Sequence, residues 1–153
     1  LSFAKGILKR DNQFKYINLN METEDITKVS SQFKGLNYTT LVKSDDHEII
    51  TDEPLEDGGH NAGFDPYELV LAALATCTTA TMKMYADRKR WKLEKIDIQL
   101  SMRTENGIQH IQRDIQVIGD LTDEQKARLL MIAEKCPVHK ILTNPNQITT
   151  SLT

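Results

Sequence analysis

Between positions 26 and 51, short apolar stretches recur with strand-like spacing: ITKVSSQF, NYTTLVK and HEIIT. Turn formers separate them, GLN at 35–37 and SDD at 44–46, so the pattern predicts three strands. DEPLEDGGHNAGFDP (52–66) is polar and rich in glycine and predicts a loop. Asp65-Pro66 then has the chemistry of a helix start, because Asp caps free N–H groups and Pro at the first helical position loses no bond. From there to about Arg90, Leu69, Ala73, Cys77, Ala80 and Met84 recur every three or four positions, which predicts a helix with that stripe towards the core. Such a helix would be roughly 36 Å long. In so small a domain it is expected to run through the centre, with small residues where other elements press close.

Beyond Trp91 the alternation Ile96, Ile98, Leu100, Met102 predicts a strand with one buried face. ENG at 105–107 turns the chain, and IQHIQRDIQVIG returns as a second strand. Thr122 with Gln125 forms a capping box that opens a helix running to Cys136, where Pro137 forbids continuation. QITTSL (147–152) reads as a closing strand. Residues 1–25 read as a hairpin bent at Asp11-Asn12 or as an arm docking elsewhere. The order of elements predicts an α+β class and one domain over 1–153.

Composition narrows the function. The 153 residues carry a net charge of −3, with Lys and Arg scattered, and no basic stripe points to nucleic acid. No uninterrupted apolar run reaches the ~20 residues of a membrane span. The first residues meet charge early and show no signal-like apolar region, so no secretory signal is expected. Two cysteines are too few to staple a secreted scaffold. A cytoplasmic protein with reduced thiols is the expectation.

Cys77 and Cys136 are therefore the candidate chemistry. A thiolate that attacks a peroxide becomes a sulfenic acid, and a second nearby thiol condenses with it to a disulfide. Spacing alone leaves open whether these two meet, since 59 positions separate them. Two buried, unconnected cysteines are the plain alternative. A zinc site is another, built from the C-x-x-H pair Cys136 and His139 with Cys77 and His60, although structural zinc sites usually show two close pairs. A cysteine–histidine hydrolase with His139 as base has no supporting motif. His47 and His110 lie in strand-like segments and read as surface or half-buried polar residues. Gly58, Gly59 and Gly63 suit a loop wrapped over a site. Glu68, nine residues before Cys77, lies about half a turn off on the helix and is equally suited to complement the helix dipole.

Two segments carry a family pattern. DEPLEDGGHNAGFDPYELVLAALATCTTATMKMYADRKRW and LTDEQKARLLMIAEKCPVHKIL closely resemble the OsmC/Ohr family, in its OsmC-like branch. The resemblance spans about 47–153, with weaker correspondence back to about 30; residues 1–25 look like a divergent arm or extension. It implies an OsmC-like fold, antiparallel sheets wrapped around long central helices in an intertwined homodimer with active sites at the subunit interface. It also implies reduction of organic hydroperoxides, and more weakly of hydrogen peroxide, by a dithiol-dependent peroxidase that needs no metal or organic cofactor. Cys77 would be the peroxidatic thiol and Cys136 the resolving one, with a lipoyl or thioredoxin-like dithiol as reductant.

The chain also departs from the hydroperoxidase branch. That branch reads Asn-Pro-Glu-Gln-Leu, whereas here Tyr67 follows Pro66 and Glu68 comes one position later, rotated by about 100° on a helix. The turn that holds the family's arginine reads Phe33-Lys34-Gly35-Leu36; a lysine lacks the bidentate fork of an arginine. Arg10 is the only arginine ahead of Cys77. Phe64 stands where many relatives have Pro. Glu68, Lys34 and Arg10 are thus the candidates for activating Cys77. Phe64, Tyr67, Leu71 and Met84 are candidates for the alkyl part of a substrate, or for dimer core. The alternative function keeps the fold and drops turnover: a small-molecule-binding or redox-sensing dimer.

Overall fold

The computed structural model describes residues 26–33 and 35–152. Arg10, Lys34 and the stretch read as a hairpin or arm lie outside the described residues. The three predicted strands form a meander, β1 (Ser30–Phe33), β2 (Thr40–Lys43) and β3 (Glu48–Thr51), in antiparallel register with Ser31 opposite Val42 and Leu41 opposite Ile50. Each is shorter than its apolar pattern, because turns consume the ends: Thr39 N–H bonds to the Leu36 carbonyl at 2.9 Å and Ser44 N–H to that of His47 at 2.9 Å. Phe33, Ile49 and Ile50 of this sheet remain exposed.

The glycine-rich segment is a loop with one short 3-10 turn, Leu55–Asp57, closed by Gly58 at φ 86°. Its organiser is Asp52. The buried carboxylate accepts the N–H groups of Glu53 (3.0 Å), His60 (2.9 Å) and Ala62 (3.3 Å). Burial alone would raise this carboxyl's pKa, but those N–H groups outweigh it and hold the group below its ordinary value. The loop also passes against backbone: a Cβ on Gly59 would lie 1.9 Å from the Glu53 carbonyl oxygen.

Helix α1 (Pro66–Lys89) begins where predicted. Glu68 N–H bonds to the Asp65 carboxylate at 2.8 Å and Asp65 N–H to the Glu68 carboxylate at 3.0 Å, a complete capping box. The buried stripe differs from the predicted one. Leu74, Thr78, Met82 and Ala86 face the core, while Ala73 and Ala80 are exposed and Met84 is 42% exposed. The helix is apolar or small on nearly every side, so its pattern does not fix which face turns inward. By length and composition α1 is also apolar enough to cross a membrane. Glu68 and Lys83 interrupt its apolar run and mask this in the sequence.

Strands β4 (Lys92–Glu105) and β5 (Ile108–Asp120) form a long hairpin around Asn106-Gly107, both at positive φ as a two-residue turn requires. Helix α2 (Asp123–Ala133) opens with the predicted Thr122/Gln125 capping box. It stops three residues short of Cys136, and a third helix that the sequence reading missed, α3 (Pro137–Thr143), begins directly after that cysteine. Pro137 ends one helix and starts the next, since a first-turn proline has no bond to lose. The closing strand expected at 147–152 is absent: the segment pairs with no other described strand, and Ile148 is 88% exposed. The core gathers Met82 and Ala86 of α1, Leu93 of β4 and Leu129 and Ala133 of α2, flanked by Ile96, Ile115 and Val117.

Candidate functional site

One position inside α1 and one break in regular structure set the site. Thr78 belongs to the buried stripe of α1, so its neighbour Cys77 lies at the edge of that stripe, half-buried. Between α2 and α3 the chain turns tightly, with Lys135 N–H bonded to the Ile132 carbonyl at 2.9 Å and Cys136 N–H to that of Ala133 at 3.3 Å. Both helices pack on α1. The turn therefore brings Cys136, fully buried, back to the middle of α1, where it and Cys77, both free thiols, lie near enough to perturb one another's ionisation.

The two sulfurs differ in surroundings. Burial, and then the neighbouring Cys136 sulfur, push the Cys77 thiol up, against weaker help from the Val138 N–H and the Thr81 hydroxyl. Burial also works against ionisation of Cys136. There the Cys77 thiol, the His139 N–H, the Thr78 hydroxyl and the Val138 N–H together outweigh it and bring the group down.

A cavity of about 420 Å³ is lined by residues of α1, β5, α3 and the end of α2, and neither Cys77 nor Cys136 is among them. Leu74, Ile111 and Leu142 give it apolar walls; Gln109, Arg113, Glu134, His139 and Thr143 supply polar ones. Arg113 is its cation. Its Nη1 donates to Thr78 Oγ1 at 2.9 Å and to the Ala133 carbonyl at 3.5 Å, and its Nη2 pairs with the Glu134 carboxylate at 2.8 Å. The other Glu134 oxygen takes His139 Nε2 at 3.2 Å.

The candidates read from the sequence fare differently. Cys77 and Cys136 come together. Glu68 lies about 13 Å along the helix axis from Cys77, its carboxylate engaged by the Asp65 N–H. Phe64 (55% exposed), Tyr67 (64%), the half-buried Leu71 and Met84 do not line the cavity. His60 lies 3.9 Å from the Asp52 carboxylate, and among the described residues no three His, Cys, Asp or Glu side chains are grouped to hold a metal ion. The imidazole of His139 is turned to Glu134, which leaves the hydrolase reading without its cysteine–histidine bond. His47 and His110 are exposed.

Arg113, Thr78 and Glu134 were missed. A signal for Arg113 was present: in β5 the inward positions run Ile111, Arg113, Ile115, Val117, so a charge occupies an apolar register. Glu134 carried no such mark.

Comparison with known proteins agrees with the residues. A family model described as OsmC-like protein matches residues 59–151. Among solved structures, an OsmC-like protein from Mycoplasma pneumoniae is 19% identical, with a TM-score of 0.67 over 78% of this chain and 89% of that one. An organic hydroperoxide resistance protein OsmC from Legionella pneumophila is 20% identical, with a TM-score of 0.61 over 80% and 92%. The organic hydroperoxide resistance protein OhrB of Bacillus subtilis is 23% identical, with a TM-score of 0.55 over 78% and 91%. At these identities the likeness is one of fold. No curated protein matches the chain.

Proposed function

The chain belongs to the OsmC-like family, and from that premise we propose that it is a thiol-dependent peroxidase. It reduces organic hydroperoxides, and hydrogen peroxide more weakly, through Cys77 and Cys136. The observation that carries this reading is the approach of two free cysteines from distant parts of the chain, near enough for each to perturb the other's ionisation. Neighbours of the same fold are named for organic hydroperoxide resistance.

The reduced pair shares one proton once a single thiol has ionised. Cys77 is the accessible sulfur and attacks after that proton passes to Cys136. Its thiolate attacks the distal peroxide oxygen: an S–O bond forms, the O–O bond breaks, and the displaced alkoxide takes the proton from Cys136 to leave as an alcohol. The Cys136 thiolate then attacks the Cys77 sulfenic acid, forming the disulfide and releasing hydroxide. An external dithiol, lipoyl or thioredoxin-like, returns two electrons by thiol–disulfide exchange. The apolar wall of Leu74, Ile111 and Leu142 suits the alkyl group.

The working unit in this proposal is a homodimer. Exposed apolar groups on the β1–β3 sheet, on α1 (Val70, Met84) and at Ile148 and Leu152 are surface for a second copy to cover. Phe64, Tyr67, Leu71 and Met84 then belong to that interface and to the outer rim of the substrate site. A cytoplasmic location, where thiols rest reduced, fits this chemistry.

Stopped-flow mixing of the reduced protein with cumene hydroperoxide tests the proposal. Fast oxidation is expected in wild type and not in Cys77→Ser, and Cys136→Ser should stop at the sulfenic acid. Wild-type rates no faster than those of a free thiol would refute turnover. That slower outcome would favour the redox-sensing reading, which the upward shift of the Cys77 thiol and the engagement of Glu68 in the helix cap support.

A further inference from the structure

The cavity has a fixed cation in its wall and a counter-ion that is free to leave. Arg113 is only 9% exposed along its side chain, and Nη1 ties it to the scaffold through Thr78 Oγ1 at 2.9 Å and the Ala133 carbonyl at 3.5 Å. Glu134 is held less. It ends α2, its side chain is 55% exposed, and among the described residues its carboxylate pairs only with Arg113 and His139. One oxygen takes Arg113 Nη2 at 2.8 Å and the other takes His139 Nε2 at 3.2 Å. Donors from β5 and α3 thus already span the two oxygens of a carboxylate. Further donors line the same space. Arg113 Nε–H has no acceptor among the described residues, and Gln109 turns its oxygen to the Thr104 hydroxyl at 3.1 Å, which leaves its amide N–H groups without one. Leu74, Ile111 and Leu142 add an apolar wall, and about 420 Å³ is within the range of small-molecule sites.

From this arrangement we infer that the cavity binds a small amphipathic monocarboxylate, its head group replacing Glu134 between Arg113 and His139 and its chain lying against Leu74, Ile111 and Leu142. A guanidinium this deeply buried needs an anion, because an unpaired buried charge is costly. Glu134 meets that need from within the chain. Its side chain can swing into water by rotation alone, with its N–H still bonded to the Ile132 carbonyl, and there the carboxylate recovers its hydration. A ligand carboxylate restores the same two contacts and also buries an alkyl chain, which Glu134 does not bring. A neutral head group would leave the guanidinium without its counter-charge, and an acid without a chain would gain nothing from the apolar wall. The inference goes beyond the thiol reading and does not need it, since neither cysteine lines the cavity. The apolar wall is also the one suited to the alkyl group of a hydroperoxide, so such an acid competes with that substrate.

Isothermal titration of the full chain with octanoate tests this and needs no peroxide. Octanamide is the probe that lacks the charge, and acetate the probe that lacks the chain. Each should bind about tenfold more weakly than octanoate, or weaker still, as loss of a charge-assisted bond or of the buried chain implies. Glu134→Gln removes the competing internal carboxylate and should tighten octanoate by about tenfold. Arg113→Met should weaken it by about tenfold or more. Leu142→Asp sets a charge of the wrong sign in the apolar wall, at a position 41% exposed, and should weaken it likewise; this variant carries the test if Arg113→Met does not fold. The Cys77→Ser, Cys136→Ser double variant should bind octanoate as wild type does. Equal binding of octanoate and octanamide overturns the inference, and so does octanoate binding that survives Arg113→Met or Leu142→Asp, that is absent in Glu134→Gln, or that is lost with the cysteines. A protein that binds octanoate as expected and fails to reduce hydroperoxides would remove the peroxidase reading and leave this site standing.

Discussion

Glu68 separates a structural carboxylate from a chemical one. Its side chain closes the capping box of α1, accepting the Asp65 N–H at 3.0 Å, while the return bond from Glu68 N–H to Asp65 is 2.8 Å. Glu68→Ala removes one of these two bonds and a negative charge from the first turn. The exposed cap bond contributes about 0.5–1 kcal/mol and the charge about 0.3–1 kcal/mol, so the loss is about 1 kcal/mol. For a chain of this size that lowers the melting temperature by about 2–4 °C. Glu68→Gln keeps an acceptor and loses only the charge, so its melting point should fall by about half as much. In both variants the rate of hydroperoxide reduction by pre-reduced protein should stay within about twofold of wild type, since the cap lies about 13 Å along the axis from Cys77. Thermal unfolding and stopped-flow oxidation on the same samples decide the matter. A Gln variant that melts normally and reacts tenfold slower would refute the capping argument and give the carboxylate a chemical role.

Asp52 should give the fold an acid limb. Its folded carboxyl ionises below its ordinary value of 3.8, so its stabilising contribution is complete above that pH and is lost as the pH falls through the lowered value. Asp52→Asn should lower stability at neutral pH and flatten the dependence below about pH 4; an unchanged acid limb in urea titrations would contradict this. Leu129→Ala, at a fully buried centre of the core, should cost about 3 kcal/mol in urea unfolding, and a loss under 1 kcal/mol would mean that the site collapses freely. Met84→Glu places an unpaired charge on the exposed face of α1, where burial against a second copy would cost on the order of 3 kcal/mol and weaken association more than tenfold. Sedimentation velocity reads this, and a wild-type chain that stays monomeric at every concentration would refute the dimer.

Local chemistry was legible in the sequence wherever it is complete within a few residues. Both capping boxes, the Asn106-Gly107 turn and the alternation of β4 and β5 are of this kind. The inward face of α1 was not, because Leu74, Thr78 and Met82 differ little in polarity from Ala73, Cys77 and Ala80 one or two positions away. Nor was α3, since Pro137 reads as a stop and equally permits a start. The meeting of Cys77 with Cys136 is a tertiary fact that required the family pattern to anticipate. Arg113 could have been noticed, but its partners Thr78 and Glu134 come from two other elements and leave no mark at short range.

The turn between α2 and α3 has a further consequence. Cys77 and Cys136 are 59 positions apart, and a bond between them would close a long loop of the unfolded chain. In the chain-entropy view this favours the folded state of the oxidised protein by about 4 kcal/mol. By the same thermodynamic cycle, folding makes the two thiols easier to oxidise than they are in the unfolded chain. Redox state and conformational stability are therefore two readings of one quantity. Melting temperature becomes a gauge of how much of the protein carries the disulfide, and an unfolding scan on cell-extracted material would report the protein's recent oxidative history.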